Sequence, residues 1–113
     1  MPKPRRGEIW YGHLDPVVGH EQAGRRPVVV VSDDFFNQSA AELAVVVPLT
    51  TRRRGLPLHV DVPATEGGLR QDSYIMCEAI RCVSTDRLED LWGELSADTM
   101  YEVEDRLRRL LML

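Results

Sequence analysis

This chain lacks the sequence features that define several classes of protein. Its two cysteines, Cys77 and Cys82, are too few for the disulfide framework of a small secreted protein or for a zinc site. No apolar run approaches the ~20 residues that a membrane helix needs. The basic N-terminus leads into Gly7 and Glu8, whereas a secretory signal would continue with an apolar stretch. We therefore expect a cytoplasmic protein with two reduced, partly buried thiols.

Standard catalytic motifs are also missing. The sequence has no Gly-x-Gly-x-x-Gly segment, no phosphate-binding loop that ends in Gly-Lys-Ser/Thr, and no Gly-x-Ser-x-Gly nucleophile elbow. The three histidines, His13, His20 and His59, fall in different segments without the spacing of metal ligands. We expect them at the surface or at the rim of the fold, and we predict no metal or other cofactor.

The charges of this chain are unevenly distributed. The net charge of −4 argues against a nucleic-acid partner, but residues 1–60 carry eight Lys/Arg and six Asp/Glu, whereas residues 61–113 carry six and twelve. A phosphate backbone responds to the local field more than to the total charge. On charge alone, however, the arginine clusters are explained better as solvated turns. These clusters are Arg5-Arg6, Arg25-Arg26 and Arg52-Arg53-Arg54.

Short apolar or alternating segments predict six or so β-strands. Pro48 lies inside one of them, which predicts an edge or a bulge at that end because proline cannot donate to a ladder. Residues 73–77 and 79–83 are separated only by Glu78, so they form one long bent strand or two strands that meet at a bulge. The other predicted strands are 8–14, 28–31, 44–49 and 59–62.

The last segment changes to a helical period. Ser96 is a good N-cap, and apolar residues then recur on one helical face up to Leu111. Residues 1–113 therefore form one predicted domain with a mainly β (α+β) fold, a small barrel or sandwich with a C-terminal amphipathic helix. At 43% hydrophobic residues, it can bury a core without covalent or metal staples.

The patterns above leave residues 19–27 as a polar loop and residues 47–51 as a strand-end turn. Together with residues 7–10, 14–18, 28–32 and 72–81, these two segments resemble MazF/PemK-family toxins. Residues 7–10 and 14–32 are similar to the opening of that family nearly position for position. Val47-Pro48-Leu49-Thr50-Thr51 resembles its second motif. Residues 72–81 resemble its third motif, with Ala79 where many members have glutamine. Three ordered motifs at compatible spacing, covering almost the whole chain, are a specific signal.

The resemblance implies an SH3-like antiparallel β-barrel of the CcdB/PemK type, paired as a homodimer. It also implies the toxin of a toxin–antitoxin pair, a sequence-specific endoribonuclease that cuts single-stranded RNA and so inhibits translation and growth. The implied partners are the RNA and a cognate antitoxin whose disordered tail covers the RNA channel, with DNA as a further candidate through the antitoxin. In the family's pattern the catalytic positions correspond to Arg26 and Thr50.

These residue types fit RNA cleavage without a metal. The 2′-oxygen attacks the adjacent phosphorus and leaves a 2′,3′-cyclic phosphate and a 5′-hydroxyl. Arg26 would present a fork of donors to the phosphate oxygens, and Thr50 would donate a hydroxyl. Arginine is a poor base at neutral pH, so Glu21 is the candidate that takes or relays the 2′-hydroxyl proton. An equally good role for Glu21 is to order Arg26 through an ion pair.

Six further residues are candidates for RNA binding. Arg25 varies among relatives, which suggests binding and not catalysis, and the run from Arg52 would form a positive wall for the phosphate backbone. Ser73 and Glu78 would line the channel that reads the bases, or serve only as strand residues. We expect Trp10 and Tyr11 in the core and the dimer contact. The six predicted RNA-binding residues are Gln22, Arg25, Arg52, Arg53, Ser73 and Glu78.

Two other functions remain open. CcdB-type toxins share the small barrel but bind DNA gyrase and cleave nothing, and they engage their target with the end of the last helix. Here that end, residues 108–113, is apolar and is predicted from its periodicity to be buried. A relative that binds RNA or a partner without cleaving is the third alternative.

Overall fold

The computed structural model describes residues 3–14 and 24–113. Over these residues the chain forms a mainly antiparallel β structure with a short helix after the second strand and a longer helix at the end. The elements are β1 (Glu8–His13), β2 (Arg25–Val30), α1 (Asp34–Asn37), β3 (Leu43–Thr50), β4 (His59–Val62), β5 (Ser73–Met76), β6 (Arg81–Ser84), β7 (Leu88–Glu94) and α2 (Ala97–Leu111), with 3-10 turns at Cys77–Ala79 and Thr85–Arg87.

The strands form one twisted sheet in the order β4-β5-β3-β2-β1-β7, and β6 pairs with β3 as well. All pairings are antiparallel. The mainly β fold with a C-terminal helix is confirmed. Among the described residues, the hydrogen-bonded path ends at β4 and β7 without joining them, so the barrel is not closed by a continuous ladder.

β3 is the central strand and organises the sheet. One side pairs with β2, and the other side pairs first with β6, at Leu43–Val46, and then with β5, at Leu49 and Thr50. Pro48 lies between these two stretches, where the pairing partner of β3 changes from β6 to β5. The prediction of an edge or bulge there is wrong: the strand is internal, and the break between β6 and β5 leaves room for a residue without an N–H.

The segment 73–83 forms two strands, β5 and β6, separated by the turn at Cys77–Ala79. This turn redirects the chain so that both strands pair with β3. Neither α1 nor β7 was predicted from the sequence. β7 buries only Leu88 fully and carries exposed acidic residues, so it has no clear apolar alternation, and α1 is a single turn capped by Asp33.

The core lies on both faces of the sheet. Successive residues of a strand point to opposite faces, so Val29 belongs to one cluster while Val28 and Val30 belong to another. All three are completely buried, so this part of β2 is buried on both faces. Helix α2 adds Met100 and Val103 to the cluster of Val29.

Helix α2 begins as predicted, because Ser96 Oγ accepts from the N–H of Thr99 at 3.2 Å. Its C-terminal end differs from the prediction. Leu111, Met112 and Leu113 are 50%, 90% and 85% exposed, because packing against the core extends only as far as Leu107. None of the described helices has the length and apolar character needed to cross a membrane.

The two cysteines differ in their environment. Cys77 is buried and Cys82 is exposed, and both are free thiols, so the prediction of two partly buried thiols is wrong. Burial, and secondarily the charge of Glu78, raise the pKa of the Cys77 thiol to about 12. Cys77 is therefore a protonated core residue at neutral pH.

Candidate active site

Arg26 and Thr50 lie on neighbouring strands at the same end of the sheet. Val28 pairs with Pro48, and two residues further along each strand are Arg26 and Thr50. This step keeps both side chains on one face, because the side-chain period of a strand is two. Arg26 Nη1 donates to the carbonyl oxygen of Leu49, the residue before Thr50, at 3.4 Å. The two predicted catalytic residues are therefore adjacent, and both are half-buried.

Local sequence explains this arrangement. Pro27 restricts Arg26 to an extended conformation, which suits its place in β2. Arg26 pairs with Gly12 of β1, and a Cβ on Gly12 would lie 3.2 Å from both the Arg87 carbonyl oxygen and the Leu88 side chain. A glycine at this position therefore allows β1 to lie close to the segment at Arg87.

The hydroxyl of Thr50 is set by the turn that follows β3. Thr50 Oγ1 accepts from the backbone N–H of Arg52 at 3.2 Å. It makes no other hydrogen bond within residues 3–14 and 24–113. Because its oxygen serves as acceptor for the turn, its proton is available to an acceptor from outside, such as a phosphate oxygen.

Arg25 lies beside this pair but on the opposite face of β2. Its Nε donates to Glu89 Oε1 at 2.9 Å. This hydrogen bond and the accompanying charge attraction raise the pKa of Arg25 and lower the pKa of Glu89. The two side chains are 55% and 40% exposed, and an ion pair with this exposure adds little stability. Arg25 is therefore free to exchange its carboxylate for a phosphate.

The predicted loop residues Glu21 and Gln22 lie outside the described residues, but the two chain ends that flank them are described. The N–H of Leu14 donates to the Gly24 carbonyl at 3.0 Å. Arg81 Nη1 donates to the Leu14 carbonyl at 3.2 Å, and Arg87 Nη1 to the His13 carbonyl at 3.5 Å. Two arginines distant in sequence thus hold the strand that leads toward this segment.

We expect replacement of Arg81 by methionine to destabilise the protein. Leu14 is fully buried, so its carbonyl would lose its partner away from water, at a cost of about 1–3 kcal/mol in the free energy of unfolding. Urea denaturation measures this difference. The matched control is Arg70→Met, at an exposed arginine, where a change of less than about 0.5 kcal/mol is expected. Equal stability of the two variants would contradict the role of Arg81.

The remaining predicted RNA-binding residues occupy different environments. Arg52, Arg53 and Arg54 are exposed in the segment after β3. Ser73 is only 3% exposed, and its hydroxyl donates to the Gln71 carbonyl at 3.0 Å. Ser73 is therefore engaged locally at the start of β5.

Glu78 is exposed but has a partner. Its Oε2 lies 2.8 Å from His59 Nε2. His59 is 7% exposed, so the prediction of a surface or rim position for this histidine is wrong: β4 packs it beneath α2 and the turn at Cys77–Ala79. The described residues contain no group of three or more His, Cys, Asp or Glu arranged to hold a metal ion.

Comparisons with known proteins agree with this fold. The family model described as PemK-like, MazF-like toxin of type II toxin–antitoxin system matches residues 5–111. Endoribonuclease EndoA of Bacillus subtilis (strain 168) is 34% identical over 110 residues, 96% of this chain and 95% of that protein. The crystal structure of MazF from Deinococcus radiodurans superposes with a TM-score of 0.89 at 30% identity and full coverage of both chains. An endoribonuclease in complex with its cognate antitoxin, from Mycobacterial species, superposes with a TM-score of 0.81 at 27% identity, covering 97% and 96%.

Proposed function

Because this chain belongs to the PemK-like, MazF-like toxin family of type II toxin–antitoxin systems, we propose that it is a sequence-specific endoribonuclease. It cuts single-stranded RNA, with Arg26 and Thr50 as its catalytic residues. The relative EndoA carries the name endoribonuclease and matches nearly the whole chain. The observation that supports the site best is the hydrogen bond from the Arg26 guanidinium to the Leu49 carbonyl, which brings a permanent cation to the backbone directly before Thr50.

The proposed reaction is a metal-independent transfer of the phosphate ester. The 2′-oxygen forms a bond to phosphorus, the bond to the 5′-oxygen breaks, and the products carry a 2′,3′-cyclic phosphate and a 5′-hydroxyl. The 2′-hydroxyl proton is removed and the leaving 5′-oxygen is protonated. Arg26 stabilises the charge that accumulates on the non-bridging oxygens, and Thr50 donates a hydrogen bond to the same group. One such donor is worth ~3–4 kcal/mol, or two to three decades in rate.

Glu21 is our candidate for the proton transfer from the 2′-hydroxyl. An arginine with a pKa above ~12 is a poor base at neutral pH, whereas a carboxylate close to the 2′-hydroxyl is well suited to this step. The alternative role for Glu21 is an ion pair that orients Arg26. Gln22, in the same segment, is proposed to contact the RNA.

We also propose that the protein works as a homodimer and that a cognate antitoxin neutralises it. The related Mycobacterial endoribonuclease is described in complex with its cognate antitoxin, and the chain matched in that structure has the same fold as this chain. An antitoxin tail that covers the RNA channel would compete directly with substrate, so antitoxin and RNA should not bind together.

Arg52 and Arg53 are expected to make RNA binding depend on salt. In the double variant Arg52→Gln/Arg53→Gln, the slope of log affinity against log salt concentration should become shallower by about 0.7 for each phosphate that the protein no longer neutralises. Binding is measured with a 2′-O-methyl RNA, which cannot be cleaved. The control Arg70→Gln/Arg108→Gln removes two exposed charges elsewhere and should keep the wild-type slope. Identical slopes in both double variants would show that Arg52 and Arg53 do not bind phosphate.

A gyrase-binding function is the second candidate, since the exposed Leu111, Met112 and Leu113 are accessible to a partner. The two functions are separated by one pair of assays with the same purified protein. We expect cleavage of a mixed-sequence RNA and no effect on supercoiling by gyrase. Intact RNA together with inhibited supercoiling would replace the proposed function with the second one.

A further inference from the structure

A transverse row of residues extends the candidate site across the sheet. Thr50 of β3 pairs with Tyr74 of β5, and Tyr74 pairs with Asp61 of β4. Directly paired residues of antiparallel strands point to the same face. The row therefore runs from Arg26 through Thr50 and Tyr74 to Asp61, with neighbouring strands about 4.8 Å apart.

The side chains of Tyr74 and Asp61 are not engaged by the rest of the described structure. Tyr74 is half-buried and Asp61 is exposed, and neither side chain makes a hydrogen bond, ion pair or ring contact with residues 3–14 or 24–113. The neighbouring polar groups are engaged: Asp72 accepts from the N–H of Ala64 at 3.0 Å, and Ser73 donates to Gln71. Tyr74 and Asp61 are therefore available to a ligand.

A recess of about 210 Å³ lies at this position. It is lined by Asp61, Val62, Pro63, Asp72, Ser73 and Tyr74. Its walls combine an aromatic ring with carboxylates, which is not the composition of a phosphate site. Asp61 lies on β4, two strands beyond Thr50, and its carboxylate would repel an RNA phosphate placed in the recess. A base edge with N–H donors would satisfy the same carboxylate.

We infer that Tyr74 and Asp61 form a nucleobase subsite, in which a base next to the scissile phosphate stacks on Tyr74 and donates an N–H of its edge to Asp61. Unpaired RNA bases stack on aromatic side chains and are recognised at their edges by hydrogen bonds, and a carboxylate accepts from base N–H groups. This inference rests on the proposed function. It adds that β4 and β5 recognise one base of the RNA substrate.

The test combines cleavage of a randomised RNA pool with kinetics on the sequence that is cut best. Tyr74→Leu should reduce kcat/KM about 10-fold to 100-fold, the effect of losing one stacked base, and Tyr74→Phe should cut at least about ten times faster than Tyr74→Leu because it keeps the ring. Asp61→Asn should change the preferred base at a single position of the recognition sequence. Asp90→Asn, which neutralises an exposed carboxylate on β7, is the matched control and should keep the wild-type sequence preference.

Unchanged sites and relative rates in both Tyr74→Leu and Asp61→Asn would overturn the subsite while leaving the proposed cleavage intact. Equilibrium binding of the same RNAs separates the two proposals. If the wild-type protein binds RNA without cutting it, the cleavage proposal fails. In that case, weaker RNA binding by the two variants than by the wild type still supports the subsite. Binding equal to that of the wild type overturns it. A wild-type protein that neither binds nor cuts RNA overturns both.

Discussion

Replacement of Arg26 by alanine is expected to lower kcat/KM for RNA cleavage by roughly two to three orders of magnitude, to the point where cleavage is lost in an ordinary assay. The guanidinium is the permanent cation that the structure places beside Thr50, through its hydrogen bond to the Leu49 carbonyl. Its removal leaves the charge of the transition state without its main donor. Arg26→Lys keeps the positive charge but loses the planar fork, so an intermediate rate is expected.

The control for Arg26 is its neighbour Arg25. Arg25→Ala removes the same side chain from the other face of β2 and breaks only an exposed ion pair with Glu89. It should weaken binding and leave kcat near the wild-type value. Circular dichroism and sedimentation should show both alanine variants folded and in the wild-type assembly state. Turnover retained in Arg26→Ala would remove the catalytic role proposed for this residue.

Replacement of Thr50 by valine is expected to lower kcat by about two orders of magnitude, with a small change in KM. Valine has nearly the shape of threonine but cannot donate to the phosphate, and one donor to the transition state is typically worth that much. The turn bond from the N–H of Arg52 is lost as well. Arg52 is exposed, so water replaces that bond and stability should change little.

Thr50→Ser provides the positive control, because it restores the hydroxyl, and should recover most of the rate. Thr51→Val is the matched negative control: Thr51 is exposed and follows immediately in the chain. A Thr50→Val enzyme with the kinetics of Thr51→Val would show that the hydroxyl plays no part in catalysis, and the assignment of Thr50 would have to be abandoned.

Much of the fold could be predicted because its signals are local. The run Val28–Val30 is apolar on both faces and is buried on both, and Ser96 starts α2 as a cap. Pro48 was misassigned because the change of partner from β6 to β5 depends on strands distant in sequence. The end of α2 was misassigned because periodicity identifies an apolar face but not how far the core extends along it.

The site could be predicted only in part for the same reason. The family motifs indicated Arg26 and Thr50 as the candidate catalytic residues, and the register of β2 and β3 brings the two residues together. The contact of Arg81 with the Leu14 carbonyl spans 67 residues, and no local pattern indicates it. The row that joins Thr50, Tyr74 and Asp61 becomes visible only when three strands are aligned.

The most direct test of the central proposal is incubation of the purified protein with a long, mixed-sequence RNA in excess EDTA, followed by mapping of the product ends. We predict discrete cuts, each with a 2′,3′-cyclic phosphate and a 5′-hydroxyl, and none with the Arg26→Ala protein. RNA that remains intact in EDTA and is cut only after magnesium is added, or products with 5′-phosphate ends, would contradict attack by the 2′-oxygen at a metal-free site.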